Sequence, residues 1–453
     1  MDLFPQDTDV ELYETAFDDE DLLKRKPISE QLSDLVQRIE SPIVIALDDQ
    51  WGSGKSYFLK RWVAAHTKEN KRTGKTVYFD AFENDYLNDP LISLISAVAE
   101  RVETDEQSKA DKLRKIGGKL VRPALNIGVA LATAGMVKNV NDIGDAVVEA
   151  ASDQAKTAID NMWADEKDRK EAVKEFKDLL VKFTKTTGGP IIIVVDELDR
   201  CRPDYALSVL EIIKHFFAVP RVHFILGINS DALENSVRAR YGAGIDATGY
   251  LKKFINVSFS LPRFTGVRGE ESIVLKYAES LGQEMRLPET IIDRLLSLLR
   301  VIGKGRDISL REISKILSHV ALLPTEVLDR HDLNGHSDLA LVLVVTSILD
   351  AHLHKKLKSV SAEVAEIRTL LSAPSTITKR QIANGRNPNY DREVTVWLLV
   401  VLFCCCIHDI ENIEELDEPI NGLKVYFGYD DIFQDRTTLA PRIQKDWIDL
   451  FRL

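Results

Sequence analysis

Ile43-Val44-Ile45-Ala46-Leu47-Asp48-Asp49-Gln50-Trp51-Gly52-Ser53-Gly54-Lys55-Ser56 is the stretch that decides the fold. Its first five residues form an apolar, β-branched run of the kind that a strand buried on both faces requires. Tyr57–His66 follows with Phe58, Leu59, Trp62 and Val63 at helical spacing. A strand, a glycine loop, Lys-Ser and a helix, in that order, make a phosphate-binding loop. Each residue type has a task there. The glycines let backbone N–H groups turn inward around phosphate oxygens with no Cβ in the way. The helix N-terminus adds its partial positive charge. Lys55 is placed to reach the β- and γ-phosphates, and the Ser56 hydroxyl to ligate Mg²⁺.

The loop departs from the usual G-x-x-x-x-G-K-[ST] pattern at its first position, where Asp49 stands in place of glycine beside a second carboxylate, Asp48. A carboxylate facing the nucleotide repels phosphate, by a few kcal/mol if desolvated. One that points back along the strand costs almost nothing. Both arrangements are open to the sequence.

A second motif matches the first. Ile191-Ile192-Ile193-Val194-Val195 is another fully apolar run, and it ends in Asp196-Glu197-Leu198-Asp199-Arg200. An acidic pair at the tip of a buried strand is the partner of a phosphate loop: Asp196 holds Mg²⁺ through water, and Glu197 orients and deprotonates the attacking water. In isolation such a pair is only a strand end with solvated charges. With the loop, it predicts nucleotide binding. No Asn/Thr-Lys-x-Asp sequence for reading guanine is present, since Asn70-Lys71-Arg72-Thr73 fails at its last position, so ATP is expected over GTP.

The chain's 453 residues are enough for two or three domains, and 45% hydrophobic with 29% charged residues is ordinary for a globular protein. The formal net charge of −12 disfavours a chain-wide electrostatic grip on nucleic acid, while leaving room for a local basic groove. The four cysteines, Cys201 and Cys404-Cys405-Cys406, have neither disulfide-framework nor zinc spacing, and read as reduced thiols serving as small hydrophobes. No secretory signal is read at the acidic N-terminus. The longest apolar stretches, Ala124–Val137, Leu339–Leu349 and Val394–Ile407, fall short of the roughly 20 residues that a spanning helix needs. A cytoplasmic chain without a spanning segment is therefore expected. His352 and His354, two apart on different helix faces, make no zinc site.

Along the chain, a helix is predicted over Pro27–Glu40 and a strand over Thr76–Phe79. A helix follows from Pro90 to Val102, another covers Pro203–Val219, and a buried strand covers His223–Ile228. A helix over 231–241 and an edge strand over Asn256–Leu261 follow. Residues from about 103 to 170 read as a helical insertion. It carries a basic run, Lys109 to Arg122, that is either a solvated helix face or a phosphate- or lipid-binding patch. Beyond about 266 strand–helix alternation ceases, and helical patterns dominate through Asp293–Arg300, Ser309–Leu322, Leu339–Leu357 and Val394–Ile407. The expected division is a core over 1–265, with its insertion, and a helical lid and C-terminal domain over 266–453.

With these pieces in order, the chain resembles the KAP family of P-loop NTPases. The resemblance rests on Trp51 to Ser56, on Phe79-Asp80-Ala81-Phe82-Glu83, on Asn88-Asp89-Pro90-Leu91, and on Gly249-Tyr250-Leu251-Lys252-Lys253-Phe254-Ile255 with Leu261-Pro262. The most specific part is Asp196-Glu197-Leu198-Asp199-Arg200-Cys201-Arg202-Pro203, because the general P-loop pattern does not require Leu-Asp-Arg-Cys-x-Pro. It extends to about position 320.

The resemblance implies a fold: a three-layer α/β P-loop core with a mostly parallel sheet of the additional-strand class. In that class the strand ending in Asn229 lies between the loop strand and the acidic strand. It implies cofactors, ATP with Mg²⁺, held by Gln50, Trp51, Gly52, Ser53, Gly54, Lys55 and Ser56. It implies that Asn229 faces the γ-phosphate or the lytic water, where the bare sequence shows only a polar residue at a strand end. It places Arg306 and Arg311 in a helical-lid segment where an arginine senses nucleotide, although either is equally an ordinary helix-surface charge. Many relatives carry spanning helices between the two motifs; here the corresponding apolar piece is too short. The setting implied is prokaryotic, with related proteins on mobile elements and in exclusion of bacteriophage, often beside a separate effector.

Three functions compete at this level. The first is an ATP-driven switch acting on a protein partner, with a homo-oligomer as one arrangement open to it. The second is a non-hydrolysing scaffold, motivated by Asp48-Asp49. The third is a nucleic-acid motor using the basic clusters at 109–122, Lys355-Lys356-Leu357-Lys358 and Lys379-Arg380, against which the acidic net charge counts. Arg200, Arg238 and Arg240 either act in trans as fingers or pair with acidic neighbours.

Overall fold

The computed structural model describes residues 10–17, 21–68, 73–86, 90–103, 171, 173–186, 188–265, 271–324, 328, 334–372, 397, 400, 401, 404, 405 and 436–449. The basic run at 109–122, the apolar stretch 124–137 and the cluster at 379–380 lie outside them, as does most of 394–407. The chain divides into two compact units. One comprises Asp9–Gln50 and Gly54–Leu261; the other comprises Met1–Thr8, Trp51–Ser53 and Pro262–Leu453.

The first unit is built on five parallel strands: β1 (Val44–Asp48), β2 (Lys75–Asp80), β3 (Ile191–Asp196), β4 (Val222–Ile228) and β5 (Val257–Phe259), in the spatial order β2-β3-β4-β1-β5. The strand that leads to Asn229 thus lies between the loop strand and the acidic strand, as the resemblance implies. Helices α1 (Lys26–Arg38), α2 (Lys55–Lys68), α3 (Pro90–Glu103), α4 (Pro203–Phe216), α5 (Ser230–Tyr241) and α6 (Ala247–Leu251) flank the sheet, together with a helical stretch over 173–186.

Continuous apolar runs are needed because the inner strands are covered on both faces. Side chains alternate between faces with period two. Ile191, Ile193 and Val195, with Phe224, Leu226 and Val77, pack on α3, α4, Phe176 and Phe217. Ile192, Val194 and Ile225, with Ile45 and Leu47, pack on Val36 of α1 and on Phe58, Leu59 and Trp62 of α2. The Trp62 indole N–H reaches the Ser29 carbonyl (3.2 Å) and Ser33 Oγ (3.1 Å), so α1 and α2 are tied by more than burial.

Strand β2 is a sheet edge, and an edge leaves backbone groups open to unwanted pairing. Side chains cover it here. Tyr13 Oη accepts the Tyr78 N–H (2.8 Å), Arg101 Nε donates to the Thr76 carbonyl (3.1 Å), and the Arg101 guanidinium sits 4.1 Å from the Tyr13 ring centroid.

The second unit holds a two-residue antiparallel ladder, β6 (Phe264–Thr265) with β7 (Glu271–Ser272), then α7 (Ile273–Glu284), α8 (Glu289–Ile302), α9 (Leu310–Ala321), α10 (Asn334–Leu349), α11 (Ala351–Lys358), α12 (Val364–Leu370) and α13 (Arg436–Ile443). Helix α9 opens with a reciprocal cap: Ser309 Oγ accepts the Glu312 N–H, and the Glu312 carboxylate accepts the Ser309 N–H. Leu339–Val345 of α10 are buried on every side, among α8, α9 and Cys404-Cys405. The described cysteines, Cys201, Cys404 and Cys405, are buried and form no disulfide with one another. No described helix is long and apolar enough to cross a membrane, and no group of three or more described His, Cys, Asp and Glu side chains is arranged to hold a metal ion by itself.

Several boundaries differ from the sequence reading. The pattern over Leu339–Leu357 is two helices, because Asp350 leaves the helical conformation and its carboxylate caps α11 through the Leu353 N–H (2.9 Å). The helix from Pro203 stops at Phe216 rather than Val219; Pro220 disfavours helical geometry at the residue before it. The edge strand is three residues, Val257–Phe259, and not Asn256–Leu261.

His223 of β4 is fully buried. Burial pulls its pKa down to about 4; the Arg221 charge adds to this and the Ile39 backbone opposes it. The unfolded chain therefore binds this proton more readily. Its contribution is complete above the unfolded value of about 6.5 and is lost as pH falls towards 4, a swing of at most about 3 kcal/mol. Urea unfolding of wild type and His223→Leu at pH 7 and pH 4.5 checks this: the wild type should lose the more stability on acidification.

Candidate functional site

The site forms where strands β1, β4 and β3 end. In open parallel sheets ligands bind at the carboxyl ends of the strands. The loop leaves β1 at Asp49 and enters α2 at Lys55, with Gly52 (φ +83°) and Gly54 (φ +91°) in the left-handed region that favours glycine. Gly52 is required for a second reason. A Cβ there would lie 2.6 Å from Arg311 Cβ, and the Gly52 carbonyl accepts the Arg311 N–H (3.3 Å).

Lys55 is 8% exposed. Its ammonium donates to the carbonyls of Asp49 (2.6 Å) and Gln50 (2.9 Å), which closes the loop on itself. Burial lowers its pKa, and Asp199, Asp49, Asp196 and Asp48 push it back up. Ser53 Oγ is buried with no hydrogen-bond partner among the described residues.

Both carboxylates of the irregular start are accounted for. Asp48 Oδ1 accepts the N–H of Ser230 (2.8 Å), at the start of α5. Asp49 Oδ1 turns onto the following N–H, that of Gln50 (2.8 Å). Asp49 also lies near the buried Arg25 guanidinium. Burial brings that group's pKa down to about 10, and the Asp49 and Asp21 charges oppose the shift.

Asp196 is 1% exposed and is the most constrained carboxylate of the site. Oδ2 accepts from the Tyr78 hydroxyl (2.7 Å), Oδ1 accepts from the Glu197 N–H (2.9 Å), and the Ser56 hydroxyl also donates to it. Burial raises its pKa, and these three donors pull it back. Gly227, its register partner on β4, leaves the room: a Cβ there would stand 2.3 Å from Asp196 Oδ1 and 2.6 Å from Leu59 Cδ1.

Glu197 is half-buried in a left-handed conformation (φ 59°), an unfavourable one for a residue with a Cβ. Its carboxylate pairs with Arg200 (3.0 Å). Burial raises its pKa, Arg200 opposes this, and Asp80, Asp196 and Asp199 add to it. The turn after β2 is fixed to the same strand end. The Ala81 N–H reaches the Asp196 carbonyl (2.9 Å), and Asp85 takes three hydrogen bonds from Arg202, from its N–H (2.8 Å), Nε (2.7 Å) and Nη2 (2.6 Å).

The structure thus brings Lys55, Ser56, Asp196 and Glu197 together. Asn229 ends β4 between them, and its Oδ1 accepts from the Ala232 N–H (3.4 Å) as the N-cap of α5. Arg306 belongs to the helical unit, where it faces Glu312 (3.5 Å). Of the candidate fingers, Arg200 pairs with Glu197 and Arg238 with Glu234 (2.6 Å). Tyr78, Gly227 and the Asp85–Arg202 clamp are absent from the sequence reading, because nothing local marks them.

A model of the KAP family P-loop domain matches residues 25–326. This chain belongs to the KAP family. As a P-loop NTPase of that family it is a nucleotide-binding protein. An uncharacterized protein of Methanocaldococcus jannaschii is 27% identical over 138 residues, 28% of this chain and 71% of that one. Among solved structures, the Aeropyrum pernix ORC2 protein in ADPNP–ADP complexes aligns at 14% identity and a TM-score of 0.37, over 92% of this chain and 99% of that one. Cdc6p from Pyrobaculum aerophilum aligns at 13% identity and a TM-score of 0.38, over 98% and 99%.

The space at Gly227 is testable by stability alone. Gly227→Ala should destabilise the chain by about 1–3 kcal/mol, since the added methyl meets a buried carboxylate and a packed leucine. A urea melt indistinguishable from wild type would show that Asp196 and Leu59 can move aside freely.

Proposed function

We propose that this chain binds ATP with Mg²⁺ at the loop and hydrolyses it, using the free energy to switch how it engages a protein partner. The observation that carries the reading is the joining of Ser56 to Asp196, with Lys55 held among carboxylates beside them. The chemistry of these groups fits the magnesium nucleotide. The positive-φ glycines and the unpartnered Ser53 hydroxyl suit a phosphate cradle, and a hydroxyl next to a buried carboxylate suits a hard cation.

In this reading Lys55 exchanges its two carbonyl contacts for phosphate oxygens. Ser56 and Asp196 hold the cation, which when bound neutralises charge on the β- and γ-phosphates. Glu197, raised by burial, accepts the proton of the attacking water. Asn229 orients that water from the end of β4. Gln50 to Gly54 supply the backbone cradle. The scaffold reading drew on repulsion by Asp48 and Asp49; backbone N–H groups engage both carboxylates instead, which favours hydrolysis. A role in bacteriophage exclusion rests on the family resemblance, and a plating assay with wild type and Lys55→Ala tests it.

Phosphate release from purified protein with ATP and Mg²⁺ tests the chemistry. Lys55→Ala should abolish nucleotide binding. Glu197→Gln should keep binding and lose roughly 10²-fold or more in turnover, the usual contribution of a positioned general base. Equal release from wild type and both variants would refute the hydrolytic reading.

A further inference from the structure

Asp196 is oriented from outside the loop and its own strand, and the group that does so is a tyrosine. Tyr78 stands on β2 opposite Val194 of β3, two residues before the pair Asp80 and Asp196. Its hydroxyl donates to Asp196 Oδ2 at 2.7 Å, while the Glu197 N–H occupies Oδ1 at 2.9 Å. Bonds to both oxygens fix the plane of the carboxylate. A group bonded on only one oxygen is free to swing about its last torsion, whereas this one presents a set edge towards Ser56.

The tyrosine is itself held. Its N–H is bound by Tyr13 Oη (2.8 Å), its ring packs against the apolar layer of α1 and α2, and Lys60 Nζ lies 5.7 Å from its centroid. A phenylalanine would satisfy the packing equally well, so the hydroxyl is explained by the carboxylate it touches.

We propose that Tyr78 is the positioning residue for the cation-holding carboxylate of this NTPase. It acts through Asp196 and so sets magnesium affinity rather than nucleotide contact or the water-attack step. The inference rests on the proposed role of Asp196 as a magnesium-holding group.

The test uses the full chain as wild type, Tyr78→Phe and Tyr13→Phe, and titrates Mg²⁺ against binding of a fluorescent, non-hydrolysable ATP analogue, with turnover measured alongside. Loss of a partner that orients a metal-holding group typically weakens the metal by about tenfold or more. Tyr78→Phe should therefore move the Mg²⁺ midpoint up by about tenfold, keep the analogue's affinity in EDTA, and recover the wild-type rate at saturating Mg²⁺. Tyr13→Phe loses the acceptor for the Tyr78 N–H without touching Asp196; it should lower the melting temperature and leave the Mg²⁺ midpoint in place. An unchanged midpoint in folded Tyr78→Phe overturns the inference. So does an equal loss of affinity in EDTA, or a Tyr78→Phe chain that does not fold, since either makes the hydroxyl structural. A wild type whose analogue binding ignores Mg²⁺ instead overturns the magnesium role of Asp196 beneath it.

Discussion

A carboxylate buried to 1% exposure at a strand end is costly unless it is well bonded, and Asp196 is the point around which this core is arranged. Its donors come from three places: the Tyr78 hydroxyl on β2, the Ser56 hydroxyl at the start of α2, and the N–H of Glu197 that follows it. Gly227 on β4 keeps a side chain out of the way. The register of β2, β3 and β4 and the entry of the loop into α2 must therefore be right together. A shift of one residue in any of them would turn a bonded carboxylate into an isolated buried charge, and would move its apolar neighbours to the opposite face of the sheet.

The same economy governs the loop. Asp49 breaks the usual glycine pattern beside a second carboxylate, Asp48, yet each carboxylate meets a backbone N–H, one at the start of α5 and one within the loop. Lys55 lies among four carboxylates whose combined field opposes the effect of its burial without outweighing it. Charges of both signs thus meet partners locally, and the strain of Glu197 at φ 59° stands beside them, at the residue proposed as the general base.

Much of this could be read from the chain. Fully apolar runs ending in Asp48 and Asp196 announced strands covered on both faces, and the glycine spacing before Lys55-Ser56 announced the loop. The position of β4 between β1 and β3 came from the resemblance to a family and not from periodicity, since an apolar run carries no mark of its neighbours. Asp350 hid a helix break inside a pattern that looks continuous from Leu339 to Leu357, because a capping aspartate and a surface aspartate are the same letter.

By itself the sequence determined most of the strands and helices, which faces are apolar, and that a glycine loop and an acidic pair stand at two strand ends. These follow from short-range spacing, where period two and period 3.6 leave a direct imprint. Only the tertiary structure decided that Tyr78 bonds Asp196 across 118 positions of chain, that Asp48 meets Ser230 across 182, and that Arg202 clamps Asp85 across 117. Such contacts depend on strand order and register, which are set when two apolar layers close over the sheet, and no local run of residues encodes them.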